Sequence, residues 1–117
     1  MADLENYRNI VKKILTEYYE MSHQKPEKNP ASEVCDRLAL DDTRDQYLWF
    51  RFGWEDRKLV QNMMIYLSIK NGKIWVEQDW TNLCVVDDLL AAGIPKNHIV
   101  LGFHHPSKRP LTEFATA

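Results

Sequence analysis

Met63-Met-Ile-Tyr-Leu-Ser-Ile-Lys-Asn-Gly-Lys-Ile-Trp-Val-Glu-Gln-Asp-Trp80 decides the fold. Asn71-Gly72 at its centre tolerates positive φ at both turn positions, which a type I′ turn demands. Runs of β-formers flank the dipeptide, so the stretch reads as a hairpin. A two-residue loop sets the register. Lys70 is expected opposite Lys73, Ile69 opposite Ile74, Leu67 opposite Val76, Ile65 opposite Gln78 and Met63 opposite Trp80. Alternation then puts Ile65, Leu67, Ile69, Ile74, Val76, Met63 and Trp80 on one apolar face. Met64, Tyr66, Ser68, Lys70, Lys73, Trp75, Glu77 and Asp79 fall on the other, where aromatic rings mix with charges.

Upstream, Leu4, Tyr7, Ile10, Val11, Ile14, Leu15, Tyr18 and Met21 recur at helical spacing. The opposite side, Arg8, Lys12, Lys13, Glu17 and Glu20, carries both signs of charge, which favours a core-packing helix over one lying on a membrane. His23 to Ser32 reads as a loop with two prolines. Glu33 to Asp41 reads as a strand, Asp42 to Asp45 as a polar turn, and Gln46 to Trp54 as a strand apolar on both faces and so central in its sheet. Gly53 marks a bulge or a close backbone approach. Glu55 to Lys58 is the next turn. After Trp80, Thr81 or Asn82 caps a short helix holding Val85, Val86, Leu89 and Leu90, which Gly93 and Pro95 end. Ile99 to Phe103 is a last apolar segment. The tail from His104 to Pro110 is basic and proline-rich, and Leu111 to Ala117 is apolar enough to dock. The fold expected is α+β: an amino-terminal amphipathic helix, an antiparallel meander of four to five strands, a second short helix and an extended C-terminal tail, in one domain over residues 1–117.

At 117 residues the chain can bury a core without cross-links. A net charge of −2 supplies no global basic field for nucleic acid. Cys35 and Cys84 stand outside any metal spacing, and the pattern points to the cytoplasm, with no membrane span. Tyr47, Trp49, Tyr66 and Trp75 are expected together on the mixed face. Three readings of it compete: a stacking platform for single strands, a protein interface, and core covered by the C-terminal segment. Glu77 and Asp79 would repel phosphate and count against the first. They could instead form a carboxylate pair of a metal nuclease, which also needs a third acid and a lysine such as Lys108. A directly DNA-binding directionality factor would use Lys108 and Arg109, with Arg44 or Arg57. His104 and His105 point to opposite sides of an extended chain and do not easily share a metal; with His98, a site would need Asp79 or Glu77 delivered by the fold. No nucleophile, phosphate-loop or zinc-protease motif is present. No catalytic residue, metal ligand or cofactor is therefore assigned.

Several ordered blocks resemble the XisI family. They are Leu4-x-x-Tyr7 leading to Ile14-Leu15-Thr16-Glu17-Tyr18, Gly53-Trp54, Ile69 through Asp79, Leu89-Leu90-Ala91-Ala92-Gly93-Ile94-Pro95-Lys96, Ile99 through His104, and Thr112-Glu113-Phe114-Ala115. The likeness runs almost end to end, with departures at Trp80, at His105 and in the loop Gln24 to Ser32. It implies a non-enzymatic controlling factor for excision of the fdxN DNA element. In that system a separate recombinase rejoins the DNA and XisI is an accessory with a companion, XisH. The resemblance carries no catalytic residues. An XisH-like partner is expected, with a homodimer compatible and DNA contacted only weakly or indirectly. The expected interface is Tyr47, Trp49, Tyr66 and Trp75, joined by His104, Lys108 and Arg109. If so, Trp75→Ala weakens the complex by more than ~2 kcal/mol in a binding titration, while unchanged affinity with an intact fold removes Trp75 from the interface.

Overall fold

In a computed structural model, residues 2–23 and 33–117 are described. The expected loop after His23 lies outside them. Helix α1 (Ala2–His23) precedes strands β1 (Cys35–Asp41), β2 (Gln46–Glu55), β3 (Lys58–Lys70) and β4 (Lys73–Asp79). Helix α2 (Val85–Ala91), a 3₁₀ turn (Lys96–His98), β5 (Ile99–Leu101) and a second 3₁₀ helix (Pro106–Leu111) complete the chain. The five strands form one open sheet in the order β1-β2-β3-β4-β5. The first four make the expected antiparallel meander. β5 departs from it and runs parallel to β4. Helix α2 lies in that connection, returning the chain to the starting end of β4 as a parallel pair requires. β3, not β2, is the central strand.

The turn chemistry is as read from the sequence. Asn71 and Gly72 both have positive φ, 54° and 74°. Asp41 Oδ1 accepts from the Thr43 and Arg44 amides at 2.9 and 3.2 Å, closing the β1–β2 turn. Gly53 has φ 147°, and a Cβ there would collide with the backbone of Glu33 and Val34. That close approach lets the Glu33 amide donate to the Trp54 carbonyl at 2.8 Å.

Helix α1 buries Tyr7, Val11, Ile14, Leu15 and Tyr18 in one core with Tyr47, Trp49, Ile65, Leu67, Ile69, Ile74 and Val76. The amphipathic stripe is thus a core stripe, and no helix is long and apolar enough to cross a membrane. Polar tethers line the helix. Arg8 grips Asp45 through Nε at 2.7 Å and Nη2 at 3.2 Å, and Lys12 meets Asp42 at 2.7 Å. Tyr18 bonds Asp88 of α2, and Ser22 bonds Asp36 of β1. Val85 and Leu89 of α2 join the same core. Both helices contribute to the core on one side of the sheet.

Two bulges reset the register. Pairing steps from Trp49↔Ile65 to Phe50↔Met63, leaving Met64 as an extra residue of β3. It steps from Leu67↔Val76 to Tyr66↔Gln78, leaving Glu77 as an extra residue of β4. Ile65 therefore pairs with Asp79, not Gln78. The expected apolar face holds for Ile65, Leu67, Ile69, Ile74 and Val76 and fails at its end. Met64 is buried instead of Met63, and Trp80 is 62% exposed. One extra residue reverses the side to which all later side chains point. Gly53→Ala should lower stability by about 2 kcal/mol or more through clash and strained φ. A denaturant midpoint equal to the parent's would show that the Glu33 backbone yields freely.

The open face of the sheet as candidate interface

The side of the sheet away from the helices is built in rows. Ala39, Leu48 and Tyr66 pair across β1, β2 and β3; so do Arg37, Phe50 and Met63, and then Cys35, Phe52 and Gln61. Neither helix covers them. Phe52 and Met63 are each 37% exposed, and Trp54 at the end of the same strand face is 50% exposed. Leu48, Phe50, Phe52, Gln61 and Met63 line a shallow depression of about 290 Å³. The guanidinium of Arg37 lies 5.4 Å from the Phe52 ring centre. This is the apolar, aromatic-rich composition of a surface that binds another molecule.

The β4 end of the same face is filled by the chain itself. Lys70 Nζ and the Arg109 guanidinium lie 4.6 and 5.1 Å from the Trp75 ring centre. Arg109 also donates to the carbonyls of His104 and Gly102, at 3.1 and 3.4 Å, which pins the tail over that ring. The tail is not extended throughout. It forms the 3₁₀ helix Pro106–Leu111 and ends with the Ala115 amide donating to the Ile99 carbonyl at 2.9 Å. Phe114 docks on the core, as expected of this segment, whereas Leu111 is exposed.

The four aromatics expected on one face are therefore divided. Tyr66 and Trp75 lie on the open side. Tyr47 and Trp49 face α1, fully buried or nearly so, and cannot meet a partner in this fold. The reason is pairing: Tyr47 lies opposite Leu67 and Trp49 opposite Ile65, both helix-facing. The Tyr47 hydroxyl donates to Asp42 at 2.8 Å. Burial, then Asp42, pushes its pKa well up, so it stays a neutral donor. Lys12, then the Tyr47 hydroxyl, holds the Asp42 carboxyl below its usual range. Of the tail residues named from sequence, Arg109 reaches Trp75. His104 is partly buried with its ring beside Phe103, at 4.6 Å between centres, and Lys108 is exposed.

Leu48, Phe50, Phe52 and Arg37, which the structure places on this open face with Met63, are not among the residues named from sequence. For Leu48, Phe50 and Phe52 the signal is the two-sided apolarity of β2; Arg37 of β1 and Met63 of β3 carry none.

The two acids have separate duties. Glu77 accepts from Lys70 at 3.1 Å and from the buried Ser68 hydroxyl at 3.2 Å. Asp79 Oδ2 accepts from the Val85 amide at 2.9 Å, and Oδ1 from the Thr81 amide and hydroxyl at 3.0 and 2.6 Å. Helix α2 consequently starts at Val85, after the expected caps Thr81 and Asn82, and Asp79 supplies the cap from β4. Among the described residues no group of three or more His, Cys, Asp or Glu is placed to hold a metal ion.

The family model for the XisI protein matches residues 1–116. The chain belongs to the XisI family. Its structure superimposes on that of the fdxN element excision controlling factor XisI from Anabaena variabilis ATCC 29413 with a TM-score of 0.85 and 52% identity, covering 98% of this chain and 99% of that one. An XisI-like protein of the same organism gives a TM-score of 0.86 at 34% identity, over 97% and 99% of the two chains. No curated protein sequence matches the chain. In this XisI-family chain, Asp79→Ala should cost about 1–2 kcal/mol of stability in a urea titration by freeing the α2 amide and the Thr81 turn. No change would show that α2 starts without Asp79.

Proposed function

We propose that this chain is a non-enzymatic controlling factor in DNA excision, or a related DNA transaction, that works by binding a protein partner. An XisH-like protein is the first candidate. The observation that carries this reading is the uncovered apolar face of β1, β2 and β3. A chain with two helices on one side of five strands leaves Phe52 and Met63 exposed and Leu48 and Phe50 partly so, at a cost that a docked partner would remove. The kinship with a protein described as an excision controlling factor supplies the biological setting. The duties of the two acids support the non-enzymatic part: Asp79 is consumed in capping α2 and Glu77 is neutralised by Lys70. The bulge at Glu77 also turns them away from a common site, which disfavours a metal nuclease built on this pair.

Co-expression with an XisH-like protein, followed by affinity purification and sizing of the product, tests this reading. A stoichiometric complex is the expected result. A free chain beside a free XisH-like protein would remove that partner. A self-associated chain that excludes it would move the open face to homodimerisation.

A further inference from the structure

Resting on the partner-binding reading, we infer that the open face of β1–β3 receives a protein segment that places apolar side chains over Leu48, Phe50, Phe52 and Met63 and a carboxylate on Arg37. The whole chain has a net charge of −2. On this face Glu77 is paired with Lys70 and Asp41 with Arg44 at 3.4 Å, while Glu33 stands exposed beside Trp54, outside the depression. Asp79, which a bulge-free hairpin would place here, is turned to the helix side. Beside the depression itself, the charge without an ion pair among the described residues is Arg37. Arg37 contacts the Phe52 ring but no carboxylate, and it stands in the same row as Phe50 and Met63. A guanidinium laid on an aromatic ring beside an apolar depression presents its outer N–H groups as a fork for a carboxylate. The surrounding low-dielectric surface strengthens that contact once water is displaced.

Other occupants fit less well. Single-stranded nucleic acid needs a line of cations that follows the phosphates. Here Lys70 is committed to Glu77 and Arg109 to two carbonyls, leaving Arg37 alone within the patch. A second copy across a two-fold axis would bring the same patch against itself. The acid such a copy could offer Arg37 is Glu33, which lies beside Trp54 and outside the depression.

The test uses the full-length ¹⁵N-labelled chain and synthetic peptides, independent of any XisH-like protein. One short peptide alternates leucine and phenylalanine with aspartate; its counterpart carries lysine at each aspartate. The aspartate peptide should shift the backbone amides of Leu48, Phe50, Phe52 and Met63, and bind about tenfold more tightly than the lysine peptide. Arg37→Glu, an exposed position, should reverse that preference while leaving the rest of the spectrum unchanged. Equal binding of the two peptides, no binding, or shifts elsewhere would overturn the inference. So would an oligothymidylate that shifts these amides when the aspartate peptide does not, or a dimer that Phe52→Ser dissociates. Peptide failure beside an intact XisH-like complex removes this face and keeps the partner reading. Peptide success without that complex removes the XisH-like protein and keeps the face.

Discussion

Docking of α1 across Tyr47, Trp49, Ile65 and Leu67 is the contact on which the rest depends. It draws the helical stripe, two aromatics of β2 and the centre of β3 into one dry layer, where Tyr18 and Trp49 meet at 6.1 Å between ring centres. Burial of such large side chains is the main favourable term in a domain of this size. The polar pairs along the helix, from Arg8–Asp45 to Ser22–Asp36, then fix its direction over the sheet more than they add stability. One long helix and one two-turn helix cover a single side. The uncovered side follows from that count of elements.

The two bulges distribute the chemistry of the remaining surface. Met64 as an extra residue turns Met63 outward beside Phe50. Glu77 as an extra residue keeps a carboxylate near Lys70 and Trp75 while sending Asp79 inward to start α2. An acid that would have marked the open face becomes a helix cap. The tail covers the β4 end through Arg109 on Trp75, so what stays open is the β1–β3 half. That half is apolar and carries one uncommitted guanidinium.

Membership of the XisI family and the open sheet face bear on function from different directions. The first sets the chain beside an excision controlling factor. The second is the exposed apolar surface that the proposed partner would cover. Phe52, Met63 and Trp54 leave large apolar surface in water.

The sequence by itself determined what local chemistry dictates: the Asn71-Gly72 turn, the helical stripe from Leu4 to Tyr18 and the stop at Gly93-Pro95. Each depends on neighbours within a few residues. The family blocks were legible for the same reason, being contiguous in the chain. Only the tertiary structure decided which face of β2 meets the helix, because Tyr47–Trp49 and Leu48–Phe50 are equally apolar alternations. The choice falls to cross-strand pairing with Leu67 and Ile65. The bulges at Met64 and Glu77 and the parallel setting of β5 were likewise beyond periodicity. A period-2 pattern reports that a side chain is apolar and which neighbours share its side; it does not report an extra residue, a returning strand, or what, if anything, covers that side.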